Sequence, residues 1–179
     1  MNETGKYSGT HAAEPYAVLS RNNTVLTFYY DNKREEFNKS MSIGPFSDWD
    51  EHWDGCSETI KTVVFDDTFA DCTSIRSTAF WFFNCDDLTT IKGIENLKTD
   101  TVEDMFKMFD GCSSLTSLDL SGFKTSNVKD MRNMFADCSG LTSLDLSSFE
   151  TGNVKCMSEM FADCSSLKSL DLSSFKTGT

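Results

Sequence analysis

The sequence has little positive charge, almost no histidine and no long apolar run, and each shortage closes a class of function. Sixteen Lys and Arg stand against 28 Asp and Glu, for a net charge of −12. Nucleic acid and anionic membrane surfaces both call for a basic face, so neither is an expected partner. No apolar run approaches the roughly 18 residues of a spanning helix, so no membrane insertion is expected of this chain. The only histidines are His11 and His52, and no Ser/His/Asp arrangement can be built around them in regular structure. HExxH, P-loop and GxGxxG patterns are absent as well. No catalysis and no cofactor are expected. Cys-x-x-Cys is also missing, so the seven cysteines do not read as a zinc site. Residues 1–6 lack the basic-then-apolar layout of a secretory leader.

What is present is a repeat. Leu115, Leu118, Leu120, Phe123, Val128, Met131, Met134, Phe135 and Cys138 return 26 residues later as Leu141, Leu144, Leu146, Phe149, Val154, Met157, Met160, Phe161 and Cys164. A third copy opens at Leu167. Self-similarity at this period is the signature of stacked supersecondary units. Traced backwards, the cysteine position gives Cys112, Cys85 and Cys56, with an aromatic three residues before each. This predicts four rungs and a partial fifth over residues 56–179. Phe69 and Cys72 copy the motif out of register and read as a local insertion.

Within a rung, Leu118 and Leu120 alternate around Asp119, as in a short strand with one buried face. Val128, Met131, Met134, Phe135 and Cys138 recur at three and four, as on one face of a helix. Asn127 with Asp130 three residues on is a weak capping-box pattern that would start that helix. The fold expected is therefore an α/β solenoid: leucine-rich repeats of about 26 residues, each with a parallel strand and a helix.

The remainder does not repeat. Residues 1–13 are small and polar and read as a disordered segment. Residues 14–55 read as a β-rich N-terminal cap. Residues 16–20 and 24–30 are strand-like runs around Arg21, Asn22 and Asn23, a turn signal. No matching cap follows Phe175, so the last rung is expected to offer an open end for self-association.

Three residue columns are candidate sites. Asp119, Asp145 and Asp171, flanked by Ser117, Ser121, Ser143, Ser147, Ser169 and Ser173, are placed on the concave face, where solenoids bind partners. The bland alternative is a solvated face, since Val64 and Lys92 occupy the position in earlier rungs; a Ca²⁺ site is the sharper one. Cys56, Cys85, Cys112, Cys138 and Cys164 read as a buried structural ladder of small apolar side chains, and no metal is assigned to them. Cys156 stands where the previous copy has Asp130 and is expected to be the more exposed thiol. Met105, Met108, Met131, Met134, Met157 and Met160 read as core.

The segment 161–175 (Phe-Ala-Asp-Cys-Ser-Ser-Leu-Lys-Ser-Leu-Asp-Leu-Ser-Ser-Phe) and the segment 127–135 resemble the BspA-like leucine-rich repeat surface proteins of bacteria. The runs at 16–20 and 24–31 resemble the segment preceding such repeats. The resemblance implies a secreted or cell-surface protein that binds a protein or glycan ligand in adhesion or host–microbe contact, with no catalytic residues. A spacer that displays another domain and a Ca²⁺-dependent module using the Asp column are the alternatives.

Overall fold

The computed structural model describes residues 11–46 and 53–176. Most of the expected disordered segment, residues 1–10, and His52 lie outside the described residues, as do residues 177–179. Regular structure is concentrated in the first half. Five strands, β1 (Glu14–Leu19), β2 (Val25–Asp31), β3 (Ser40–Met41), β4 (Thr62–Phe65) and β5 (Thr90–Lys92), form one mixed sheet in the order β3-β1-β2-β4-β5. The hairpin legible in the sequence forms: β1 and β2 pair antiparallel with Leu19 opposite Leu26, and Asn23 takes the left-handed conformation at φ 57°. Asn tolerates that region because its short polar side chain bonds locally. β2 then pairs parallel with β4, and β4 with β5. The N-terminal block is thus continuous with the chain that follows through one sheet.

Phe28 of β2 organises the core at this end. It stacks on Phe65 at 4.7 Å and on Trp81 at 5.0 Å between ring centroids, and meets Trp53 edge-on at 5.4 Å. All four rings are buried. The indole N–H groups also find acceptors: Trp53 donates to the Trp81 carbonyl, and Trp81 to the Ile43 carbonyl. Burying an aromatic with a polar edge is favourable only when that edge is paired.

The α/β solenoid with a strand and a helix in each leucine-rich rung does not form. Among the described residues there is no α-helix; short 3-10 turns and the five-stranded sheet are the only regular elements. The apolar positions read as a helix face are nevertheless buried: Met131, Met134, Phe135 and Cys138 are fully inside. The reason is visible in the amides. In residues 131–138, every second N–H leaves the segment. Met131, Asn133, Phe135 and Asp137 donate to the carbonyls of Cys156, Ser158, Met160 and Ala162. The alternate amides close tight turns, Met134 to Met131, Ala136 to Asn133 and Cys138 to Phe135. A helix would direct all of these bonds back along its own axis. Asn133 and Asp137 both sit at φ 55°, a conformation no α-helix contains, and Lys107 with Gly111 and Glu159 with Asp163 repeat the pair. Consecutive turns also bring residues three and four apart to one side, so the apolar spacing alone could not separate the two structures.

The sequence period survives as hydrogen-bond register. Parallel bridges join Ser77 to Asp104, Asp104 to Asp130 and Asp130 to Cys156. Rings at equivalent positions lie nearly coplanar: Phe109 to Phe135 at 5.6 Å and 5°, Phe135 to Phe161 at 5.8 Å and 3°. Asn127 does not cap a helix. Its side-chain amide donates to the Asp100 carbonyl at 2.6 Å, and Asn153 does the same to Ser126 at 2.7 Å, each tying one copy to the copy before it. The methionine column is core at its start and half-open at Met157.

Candidate functional site

The Ser/Asp columns lie in extended coil. The expected strands at residues 115–121, 141–147 and 167–173 are absent. Val64 and Lys92 pair across β4 and β5 at the equivalent position, so the sheet runs out where the Ser-Leu-Asp-Leu-Ser sequence begins. Thr, Val and Ile favour strands in β4 and β5, whereas Ser and Asp compete for the backbone. That competition is realised: Asp119 accepts the Ser121 amide at 3.0 Å, Asp145 that of Ser147 at 2.9 Å, and Asp171 that of Ser173 at 2.8 Å.

All nine residues of the candidate face are exposed: Ser117, Asp119, Ser121, Ser143, Asp145, Ser147, Ser169, Asp171 and Ser173. The bonds from Ser121, Ser147 and Ser173 hold the three carboxyls below their ordinary pKa, with Asp119 and Asp171 opposing this at Asp145. Shallow depressions border the face. Ser117 and Asp119 share one with Thr90 and Ile91 of β5, and Ser147 shares another with Asn153 and Lys176. For the Ca²⁺ alternative, no group of three or more His, Cys, Asp or Glu among the described residues is placed to hold a metal ion.

The cysteine column behaves as a ladder of thiols, with no disulfide among the seven cysteines. Cys85, Cys112 and Cys138 are fully buried, while Cys56 and Cys164 are half-buried. Each later thiol donates to a carbonyl of the preceding copy: Cys112 to Phe82 at 3.2 Å, Cys138 to Phe109 at 3.1 Å and Cys164 to Phe135 at 3.0 Å. Burial pushes the pKa of Cys85, Cys112, Cys138 and Cys164 upward, disfavouring the reactive thiolate.

Cys156 is set differently. It is half-exposed and follows Ser77, Asp104 and Asp130 in the bridge column. Each earlier member accepts the amide two residues on, as Asp130 does from Arg132 at 3.0 Å. Cys156 meets Ser158 in the same way, and its pKa is lowered chiefly by the Ser158 amide and hydroxyl, with Arg132 adding to the effect.

Beyond these columns runs a buried threonine column, Thr99, Thr125 and Thr151. Their hydroxyls accept the amides of Lys124, Glu150 and Lys176, each at 2.7 Å. Its signal in the sequence is a threonine recurring at 26 residues among otherwise variable polar neighbours. Of the two histidines, His11 is described and lies 3.6 Å from Glu35, both exposed. Among the described residues no helix is long and apolar enough to cross a membrane.

No curated protein and no solved structure matches this chain. One family model does, over residues 59–179, from just before β4 to the end of the sequence. That span covers more than half of the chain and includes the Ser/Asp face and most of the cysteine ladder. The chain belongs to the family described as Mycoplasma protein of unknown function, DUF285.

Proposed function

We propose that this chain is a non-catalytic recognition module, secreted or displayed at a cell surface, that binds a protein or glycan through the Ser/Asp face. One observation carries this reading. Nine polar side chains at matched positions in three successive copies are all exposed, and their carboxylates are already bonded to their own turns. A face ordered before contact loses less entropy on binding. Serine hydroxyls both donate and accept, whereas carboxylates accept only. The face therefore suits ligands rich in hydroxyl groups or in Lys and Arg side chains.

The test replaces Asp119, Asp145 and Asp171 together with Asn. Asn keeps an oxygen for the Ser amide and removes the charge, so the turns persist. Binding to panels of glycans and matrix proteins is then compared with the native chain at low and high salt. Loss of a native interaction in the variant, with the native interaction weakening in salt, supports the reading. Equal binding by both chains would move the site off this face.

A further inference from the structure

A cleft opens where the N-terminal sheet meets the first run of stacked turns. Its walls are Pro15 of β1, Ile43 and Pro45 beyond β3, and Ile75. Its volume is about 220 Å³. At ~30 Å³ for each water, that is room for one apolar side chain. None of the nine residues of the Ser/Asp face lines it.

The polar groups left over at this cleft are donors. Arg76 is the one charged residue among those lining it, and its side chain is 70% exposed. Its partner Glu103 stands 3.6 Å away and gives its other carboxyl oxygen to Lys129. Two cations on one carboxylate leave a positive charge at the rim. The amides of Ile75, Arg76 and Ser77 donate to no backbone acceptor among the described residues. The Arg76 carbonyl accepts the Glu103 amide, and the Thr78 amide donates to the Asp104 carbonyl. Backbone groups of an extended segment alternate from side to side, so the Ser77 amide between them points away from Asp104. The nearby acceptors are already used. The Ile43 carbonyl takes the Trp81 indole at 3.0 Å, and the Asp104 carboxylate takes the Ser77 hydroxyl and the Phe106 amide.

Apolar walls beside unspent donors select an apolar group joined to an anion. An inorganic anion would leave the walls unfilled. A free amino acid would bring an ammonium group close to Arg76, with no carboxylate among the lining residues to meet it. The last residue of a polypeptide carries a carboxylate and a side chain on one carbon, preceded by a neutral peptide group. We propose that this cleft captures the C-terminal carboxylate of a partner polypeptide whose last residue is aliphatic. The carboxylate meets Arg76 and the Ser77 amide, and the side chain enters between Ile43, Pro45 and Ile75. The cleft is separate from the Ser/Asp face, so the two readings stand or fall separately.

The experiment follows backbone amide NMR shifts of the full isotope-labelled chain during titration with acetyl-Gly-Gly-Leu bearing a free carboxylate. Saturable shifts at Ile75, Arg76 and Ser77 are expected. The same peptide as its carboxamide, and a peptide ending in Gly, should each bind about tenfold or more weakly. An Arg76→Gln chain should lose the preference for acid over carboxamide, with an unchanged Trp81 indole signal reporting that it remains folded. A Glu103→Gln chain, which lacks the competing carboxylate, should bind the acid more tightly. Three results would overturn the proposal: no saturable shift at residues 75–77 with millimolar peptide, equal binding of acid and carboxamide, or equal binding of isocaproate, which has the acid and the branched chain without a peptide group.

Discussion

The hydroxyl of Thr125 brackets the backbone of Glu150, accepting its amide at 2.7 Å and donating to its carbonyl at 3.1 Å. The side chain is fully buried, so both of those backbone groups are satisfied by one residue of the preceding copy. Replacing Thr125 with Val keeps the shape and strands both. The expected loss is about 1–3 kcal/mol, read as a lower urea midpoint with an unchanged slope. Thr125→Ser, which keeps the oxygen, should recover most of it.

The same substitution at Thr78 should act in the opposite direction. Thr78 is fully buried, and its hydroxyl has no hydrogen-bond partner among the described residues. A buried polar group without a partner carries a desolvation cost with no return. Thr78→Val should leave stability unchanged or raise it by up to about 1 kcal/mol, again measured by urea denaturation.

Thiol chemistry should divide the seven cysteines. Cys156 has a lowered pKa and partial exposure, whereas Cys85, Cys112 and Cys138 are buried with raised values. Brief alkylation of the native chain, followed by peptide mass mapping, should label Cys156 well before those three. All three should become reactive together in denaturant. A Cys156→Asp chain should fold normally, since it restores the residue type found at Asp130 and Asp104.

Acid should weaken the copies that carry the Ser/Asp face. Asp119, Asp145 and Asp171 have folded pKa values below their unfolded ones because the ionised carboxyl accepts a serine amide. Their contribution is complete above the unfolded value, near pH 4, and is lost as pH falls through the folded value. Asp86 and Asp110 oppose this, since burial raises theirs; protonation favours their folded form. Thermal melts between about pH 3 and pH 6 should show a drop in Tm for the native chain and a shallower one for the triple Asn variant.

The sequence is legible here where side-chain chemistry fixes the answer, and opaque where two backbones share one burial pattern. The β1–β2 hairpin was readable because aromatic and β-branched runs flank an Asn-rich turn. Burial of Met131, Met134, Phe135 and Cys138 was readable too, from spacing alone. The helix inferred from that spacing was not: stacked turns with left-handed residues at Asn133 and Asp137 produce the same three-and-four recurrence. Both residues belong to types that tolerate positive φ, which was the available warning. Asn127 is ambiguous in the sequence for a related reason. A helix cap and a link to the previous copy both use a side-chain amide or oxygen, and only the position of Asp100 decides between them.

The bonds from each run of stacked turns to the next copy have an electrostatic consequence. In a β-sheet, successive peptide dipoles alternate across the strand and largely cancel. In residues 78–84, 105–111 and 131–137, four amides per copy point in the same direction between copies, opposed elsewhere in the copies by fewer bonds, among them Glu103 to Arg76, Ser114 to Asp86, Lys129 to Glu103, Thr142 to Thr116 and Lys155 to Lys129. Peptide units of roughly 3.5 D each therefore add across the stacked copies, much as they add along a helix axis, but perpendicular to the chain. Each further copy lengthens that dipole, and the positive side of each copy is the one that donates to the next. On a molecule of net charge −12, that side carries a local backbone field opposite in sign to the whole.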